Sequence, residues 1–461
     1  MFPALMKKRF LKGKLGKLRN YDQIEFSADL RNRIFLVTAC LAFIFLVRYC
    51  FSPNSSGGTS SQFSNGRCQG RYVYMHSLPR EYNEELLANC NLLHEWTNMC
   101  AALSNAGLGP AIPLNQAEIF TPTGWFRTHQ FALETIFHNR MKQYDCLTRD
   151  SKKASAIYVP YYAGLEAQRT LWENDLAARD ISPKKLEEWL LSQPEWNAHR
   201  GHDHFMVGGR ITWDFRRQGP GWGNNLLALP GIQNMTTLVI EASPWDTIDV
   251  AIPYPSYFHP SSDMEIRAWQ EKVRGFERKF LFSFAGGRRD DRPRLIRGQL
   301  IQQCRQSPFC ELLTCDGGAC LSPQPVMKLF EDSHFCLQPQ GDSATRKSIF
   351  DSMLAGCIPV FFHQDSYSGY TWHLPKNESE YSVFILENYV RTGTLSVESV
   401  LRNIPAERIQ QMRETIIELL PNLVYADPRS PTLETSTDAF SIAMKGVFER
   451  ISEKKRGLQK Q

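Results

Sequence analysis

Between Phe335 and Phe362 the sequence runs as strand, loop, helix and strand. Phe335-Cys-Leu-Gln leads through Pro339-Gln-Gly-Asp-Ser-Ala-Thr to a helical stretch from Arg346, which stops at Gly356 before Ile358-Pro-Val-Phe-Phe362. A strand–loop–helix–strand unit of this kind is built for a parallel sheet with helices on its faces. The same alternation occurs upstream: Phe280-Leu-Phe-Ser-Phe-Ala285, a Gly-Gly-Arg-Arg turn, and a helix through Ile296 to Cys304. Earlier still, β-forming runs at Arg71–Met75, Ala156–Pro160, His204–Val207 and Leu238–Glu241 are separated by helical patterns. The clearest of these cover Gln130–Lys142 and Pro183–Leu191, and a shorter helix start is expected over Asn83–Asn89.

The expectation is an α/β chain with two doubly wound halves, 68–265 and 266–430, facing a cleft, followed by a helix and basic tail over 431–461. Pro260 to Arg278 reads as the junction. Ligands in such sheets sit beyond the carboxyl ends of the strands, so the loops after Ala285 and Gln338 are where chemistry is expected. No internal repeat recurs at a fixed period.

The first 67 residues read differently. An apolar run from Ile34 to Val47 continues past Arg48 to Phe51, near the lower limit for spanning a bilayer, with Arg48 snorkelling to the head groups. Residues 1–33 hold nine Lys or Arg against three acids, so the positive-inside bias keeps this tail (1–33) in the cytosol. The expected order is a cytosolic tail, a transmembrane anchor over 34–51, and a Ser/Gly/Asn-rich stem over 52–67. A leader of more than thirty residues before the apolar run is too long for a cleaved signal peptide.

Everything after the anchor is then expected in an oxidising lumen. Ten of the twelve cysteines fall there, an even number for which disulfides are the default, with connectivity open. Cys304, Cys310, Cys315 and Cys320 cluster, but without zinc-site spacing. Sequons at Asn54, Asn234 and Asn377 are candidate glycan sites.

The formal charge of +5 is concentrated in the tail, so the folded part lacks the basic surface a nucleic-acid binder needs. At 461 residues with 42% hydrophobic and 22% charged content, there is material for two cores behind the anchor.

Chemistry is expected at the helix from Arg346. Ile349, Phe350, Met353 and Leu354 fall on one side; Lys347, Ser348, Asp351 and Ser352 fall on the other. Asp342, Ser343 or Thr345 can cap its start, and free N–H groups there make an anion site suited to a diphosphate. Gly341 gives close backbone approach, Arg346 adds a planar donor fork, and Asp351 can accept from ribose hydroxyls. Ordinary capping with a Lys347–Asp351 pair at i, i+4 is the plain alternative.

Gly286 and Arg288, in the turn after Ala285, are weaker candidates for the same ligand. No Asp-x-Asp occurs in the chain, so cations and helix N-termini, rather than a bound metal, are expected to stabilise a leaving diphosphate. For an acceptor hydroxyl, Asp203, His204 and His76 are candidate bases, though each is also a serviceable structural residue. Trp125, Trp213, Trp222 and Trp245 offer ring faces for sugars, or core.

Taken in order, several motifs resemble one family: Arg71-Tyr-Val-Tyr, His129-Gln-Phe-Ala-Leu-Glu134, Phe137-His-Asn-Arg-Met-Lys142, Asp203-His-Phe and Gly209-Arg-Ile-Thr-Trp-Asp-Phe-Arg-Arg217. Further along come Ile252-Pro-Tyr-Pro, Phe282-Ser-Phe-Ala-Gly286, Ile296-Arg-Gly298, Cys336-Leu-Gln-Pro-Gln-Gly-Asp-Ser343 and Phe350-Asp-Ser-Met-Leu-Ala-Gly-Cys-Ile-Pro-Val-Phe-Phe362. They resemble the exostosin-like glycosyltransferases of family 47, in particular the plant xyloglucan galactosyltransferase group.

The resemblance implies a GT-B fold of two Rossmann-like domains behind a type II Golgi anchor. It also implies inverting transfer from a UDP-sugar bound in the C-terminal half, with Ser348 standing where most relatives place a basic residue. Asp351 stands where most of the family has Glu, as in the plant group. Met75-His-Ser-Leu-Pro79 departs from the relatives' usual His/Tyr-Asp-Leu-Pro at Ser77. Expected partners are a UDP-sugar such as UDP-galactose, a xyloglucan acceptor, the Golgi membrane and other Golgi glycosyltransferases, with no nucleic acid and no metal cofactor. UDP-galacturonic acid, an arabinose nucleotide, or a non-catalytic Golgi scaffold that binds glycan are the alternatives.

Overall fold

The computed structural model describes residues 68–113, 119–288, 296–431 and 433–458. The tail, anchor and stem (1–67), Asn54 and Arg289 lie outside them. Residues 64–461 form one compact unit. Among the described residues no helix is long and apolar enough to cross a membrane.

The first sheet holds β1 (Tyr72–Met75), β2 (Leu147–Thr148), β3 (Ala154–Tyr158), β4 (His204–Ile211), β5 (Thr236–Glu241) and β6 (Asp249–Ala251), in the order β2-β1-β3-β4-β5-β6. The second holds β7 (Phe280–Ala285), β8 (Cys310–Leu313), β9 (Ser333–Gln338), β10 (Ile358–Phe361) and β11 (Val383–Phe384), in the order β11-β10-β9-β7-β8. Every pairing is parallel. In β5 and β10 every residue is buried, as strands covered on both faces require.

Eight helices carry the argument: α1 (Leu133–Lys142), α2 (Ala163–Thr170), α3 (Leu176–Ser192), α4 (Asp263–Arg274), α5 (Arg297–Gln306), α6 (Lys347–Leu354), α7 (Ala406–Leu423) and α8 (Ala439–Leu458). The α3 helix begins well before Pro183, because Asp175 caps it by accepting from the Ala177 N–H at 2.9 Å. The expected junction is not a linker. Ser262 caps α4, whose Trp269 indole donates to the Leu354 carbonyl at 2.9 Å and whose Gln270 donates to Ile417 of α7 at 2.7 Å, so the segment belongs to the second sheet's helical cover.

Two kinds of contact hold the sheets to one another. One is a continuous apolar core that includes Phe205, Leu238, Phe350 and Phe361. The other is a set of buried hydrogen bonds: Tyr370 hydroxyl to Ile240 carbonyl at 2.6 Å, and Tyr425 hydroxyl to Pro253 carbonyl at 2.7 Å. The expected C-terminal helix is present as α8 and packs back against the first sheet. Phe440 packs on Phe137 at 4.7 Å, Asp438 pairs with buried Arg140 at 3.3 Å, and Lys454 donates to the Asn234 and Met235 carbonyls. Breaking a buried pair such as Arg140–Asp438 costs about 3–5 kcal/mol, so the tail is part of the fold.

All ten cysteines beyond the stem are paired: Cys68–Cys146, Cys90–Cys100, Cys304–Cys310, Cys315–Cys320 and Cys336–Cys357. The pairing that spacing left open joins near neighbours in four bridges, whereas Cys68–Cys146 spans 78 residues and braces β1 against β2. It also leaves no thiolate in the 304–320 cluster for zinc.

Candidate active site

The loop after β9 and the start of α6 build the site. Arg346 occupies the cap position with extended backbone, φ −153° and ψ 147°, and no side chain caps the first turn. The expected caps have other work. Thr345 donates both its N–H and its hydroxyl to Glu241 Oε2, at 2.7 and 2.6 Å, which ties the loop to the end of β5. Asp342 and Ser343 stay in the loop and face a cavity of about 300 Å³ between the two sheets. The helix dipole is thus open toward that cavity.

Arg346 faces the same space. Its Nη2 donates to the Ala285 carbonyl at 3.1 Å, while its buried Nη1 has no partner. Burial first, and then the like charge of Arg297, push its guanidinium down to about 9. Arg297 opens α5 and donates from Nε to the Gln340 carbonyl at 3.0 Å. Two guanidinium groups beside an uncapped helix start repel one another until an anion joins them, and a diphosphate has the charge and oxygen count to do so.

On the polar side of α6, Lys347 Nζ reaches both oxygens of Asp351, at 2.7 and 2.9 Å, and lies 3.2 Å from the Tyr257 ring centroid. Asp351 also accepts from the Ser256 hydroxyl at 2.9 Å. Burial pushes the Asp351 carboxyl up, against the pull of Lys347, and pushes Lys347 down. The i, i+4 pair offered as the plain alternative is therefore present, and it forms one wall of the cavity. Ser348 donates to Gln338 Oε1 at 2.7 Å, fixing the helix to the strand that feeds it.

Of the expected ligand residues, Gly341, Asp342, Ser343, Thr345, Arg346, Ser348 and Asp351 all line the cavity. Gly286 and Arg288 do not. The Gly286 N–H is committed to the Leu313 carbonyl at 3.1 Å, and a side chain there would strike the Phe284 ring. Sequence reasoning missed Arg297 and Lys347 as ligand-facing cations. Arg297 stood in the Ile296-Arg-Gly298 motif, but its approach to Gln340 depends on how α5 packs.

The first sheet contributes Gln130, Phe131, Ile211, Tyr254 and Tyr257 to the walls. Arg210 lies over the Phe131 ring at 4.1 Å and pairs with Asp214. Just behind Gln130, His129 is pushed down to about 4, by burial first and then by Arg210 and Lys347. Glu134 accepts N–H bonds from Gly209 at 3.0 Å, from Leu165 at 3.2 Å and from Gly164, and so joins α1, α2 and β4. Burial pushes its carboxyl up to about 7 against those bonds.

The expected bases are elsewhere. His204 Nδ1 pairs with Asp203 Oδ1 at 2.8 Å, and its Nε2 meets His76 Nε2 at 3.2 Å. Burial, then His204, push His76 down to about 4. His204 begins β4, whereas the cavity residue Ile211 ends it, seven residues on and therefore roughly 20 Å away. None of the three lines the cavity. Ser77, where the family resemblance leads one to expect Asp, is exposed and also outside the cavity, so a carboxylate at that position would not touch the donor either.

Trp125 is core at 4% exposure, whereas Trp222 and Trp245 are exposed and Trp213 donates to Glu241 Oε1 at 2.9 Å. Asn377 is exposed; the Asn234 amide donates to the Arg200 carbonyl at 3.0 Å. Among the described residues no group of three or more His, Cys, Asp or Glu is placed to hold a metal.

Residues 67–403 match the family described as Exostosin GT47 domain. The chain is 53% identical over 398 residues to "Xyloglucan galactosyltransferase MUR3" of Arabidopsis thaliana, a match covering 85% of this chain and 64% of that protein. It is 49% identical to "Probable xyloglucan galactosyltransferase GT15" of the same plant, over 83% of each. It is 42% identical to the plant's "Xyloglucan-specific galacturonosyltransferase 1", over 84% of this chain and 58% of that protein. Likeness to solved structures is low: a GtfA/B complex aligns at TM-score 0.33 and 10% identity over 64% of this chain and 57% of that one, too low to carry an argument. The family match over residues 67–403 and the sequence identity over most of the folded part make this chain a member of the exostosin GT47 family, in the group of the plant xyloglucan galactosyltransferases.

Proposed function

We propose that the protein transfers galactose from UDP-galactose to a xylosyl hydroxyl on a xyloglucan side chain, with inversion at the anomeric carbon. The observation that carries the chemistry is the buried, unpartnered Arg346 Nη1 beside Arg297 and an uncapped helix start, an arrangement completed by a diphosphate. The named activities of the similar plant proteins supply the sugar and the acceptor.

In this reading the acceptor oxygen attacks the anomeric carbon as the bond to the diphosphate oxygen breaks. Negative charge then builds on the leaving group, where Arg346, Arg297 and the first turn of α6 meet it without a metal cofactor. Asp351 lies on the ribose side, held by Lys347 and Ser256. His129, which adjoins the cavity residue Gln130 without itself lining the cavity and is neutral down to about pH 4, takes the acceptor proton at Nδ1 in exchange for the Phe131 N–H it accepts at 3.2 Å, in place of the distant Asp203 and His204. The same reading puts 34–51 in the Golgi membrane with the folded unit in the lumen.

The test is transfer by the full-length protein in detergent, with a xylosylated glucan oligosaccharide, EDTA and a panel of UDP-sugars. A mass gain of one hexose with UDP-galactose in EDTA supports donor, acceptor and metal independence together. A gain only with UDP-galacturonic acid moves the donor, a reading that the similarity to the galacturonosyltransferase keeps in play. Protein that binds UDP yet transfers nothing overturns the proposal in favour of a glycan-binding paralogue.

A further inference from the structure

Three tryptophans on the first sheet's side of the molecule stand out in solvent and touch one another. Trp96 is 65% exposed, Trp172 48% and Trp222 47%. Their rings meet edge to face, Trp96 on Trp172 at 5.3 Å and Trp172 on Trp222 at 5.2 Å between centroids. Indoles are rarely left in water in such a row, since each forfeits the burial of a large apolar face.

The row is held rigidly. Trp96 sits on the loop closed by Cys90–Cys100, and its backbone N–H donates to His94 Nδ1 at 3.2 Å. Trp172 follows the end of α2. Trp222 rides a glycine turn in which Gly223 takes φ +81° against the Asp214 backbone, where a side chain would not fit. Its indole N–H is pinned by buried Asp214 at 2.6 Å. Arg179 bonds the Glu173 carbonyl at 3.0 Å and the Gly221 carbonyl at 3.3 Å, fastening the two turns together. A disulfide, a buried carboxylate and a bridging guanidinium thus fix three exposed rings in advance of any ligand, which lowers the entropy lost on binding.

The row is also joined to the active site through buried side chains. Asp214, which holds Trp222, pairs with Arg210; Arg210 lies on Phe131; and Phe131 lines the donor cavity. We propose that Trp96, Trp172 and Trp222 form the platform that carries the β-1,4-glucan backbone of the acceptor while one of its side chains enters the cavity. This deepens, and rests on, the xyloglucan reading above. The chemistry fits: a β-1,4-linked glucose ring holds its hydroxyls around the edge and only axial C–H bonds on its faces. An indole can cover such a face while the hydroxyls keep their water.

The test uses an unsubstituted β-1,4-glucan hexasaccharide, which has no xylosyl hydroxyl to receive a sugar, so binding is read independently of transfer. Full-length protein in detergent, saturated with UDP, is titrated calorimetrically. Wild type binds the hexasaccharide, Trp172→Ala binds it about tenfold more weakly, and Trp172→Phe, which keeps a ring face, loses much less. Met264→Ala, another exposed apolar residue, is unchanged. UDP affinity reports the fold of each variant; if Trp172→Ala no longer binds UDP, Trp96→Ala on its disulfide-closed loop gives the same reading. Equal glucan affinity in wild type and the alanine variant overturns the proposal. So does absence of glucan binding by wild type, and so does Trp172-dependent flotation with phosphatidylcholine vesicles in place of glucan binding. Trp172-dependent glucan binding without transfer from any UDP-sugar sustains the platform and removes the galactosyltransferase reading instead.

Discussion

Two polar clusters sit on this pair of sheets, and they differ in one respect. In the His76–His204–Asp203 cluster the side chains answer one another: imidazole to carboxylate at 2.8 Å, imidazole to imidazole at 3.2 Å, and Lys455 near the remaining carboxylate oxygen at 3.6 Å. Around Arg346 the groups do not close. One guanidinium nitrogen is buried without a partner, a second guanidinium stands close, and the helix start carries no cap. The first cluster stands where β1 has just ended and β4 begins, since His76 follows Met75, and β4 runs on for seven residues beyond His204; the second stands beyond the end of β9. Away from the cleft the buried polar groups satisfy one another, whereas at the cleft they are left open for a ligand.

The sharpest way to break that contrast is Arg346→Ala. Removing a group aimed at developing charge in a dry site costs about 10²–10³-fold in kcat. We expect that loss together with weaker UDP binding, and almost no change in melting temperature, because the residue gives up a single carbonyl bond. Near-normal turnover with UDP-galactose would show that the open cluster is not where the diphosphate sits.

Next in size is His129→Ala, expected to lower kcat about 10²-fold. Its pH signature follows from the sign of the shift. With its pKa pushed down to about 4, His129 stays neutral, and able to accept a proton, through the whole range above that. The kcat/KM profile of wild type should therefore run level on the acid side and fall only near pH 4. Bound diphosphate offsets the positive charges that help depress the imidazole, so the acid limb of kcat should lie at higher pH than that of kcat/KM. A limb that stays unmoved in His129→Ala would assign the base elsewhere.

How much of this could be read beforehand depended on what fixes each feature. Phe280–Ala285 was legible to the residue because a run of apolar side chains ends abruptly at glycine. Strands β2, β6, β8 and β11, of two to four residues each, were not. All four are edge strands, and none is long enough to show a period. The loop 341–346 was legible because it must leave a strand at its carboxyl end. Thr345 was misread as a cap because its acceptor, Glu241, lies more than a hundred positions away on the other sheet. Arg297 was hidden for the same reason: only the packing of α5 brings it to Gln340. Asp203 and His204 looked catalytic by residue type, and only the length of β4 beyond them, which the sequence did not mark, takes them away from the cavity.

The smallest expected effect tests the closed cluster. His204→Gln keeps a side chain of similar reach but cannot stand as an imidazole between His76 and Asp203. Both neighbours are almost fully buried, at 4% and 3% exposure, so each loses a partner that water cannot readily replace. The loss expected in chemical denaturation is about 1–3 kcal/mol, the desolvation of buried polar groups left short of a bond. Activity should move in the opposite sense to the Arg346 variant. Once the fraction unfolded is accounted for, kcat should remain within about twofold of wild type, because nothing in the cluster reaches a cavity some 20 Å further along the sheet. If His204→Gln instead lost turnover while keeping its stability and its UDP affinity, the sorting of the two clusters into structural and chemical would be reversed. The acceptor would then have to approach beside His76, where β1 ends and β4 begins.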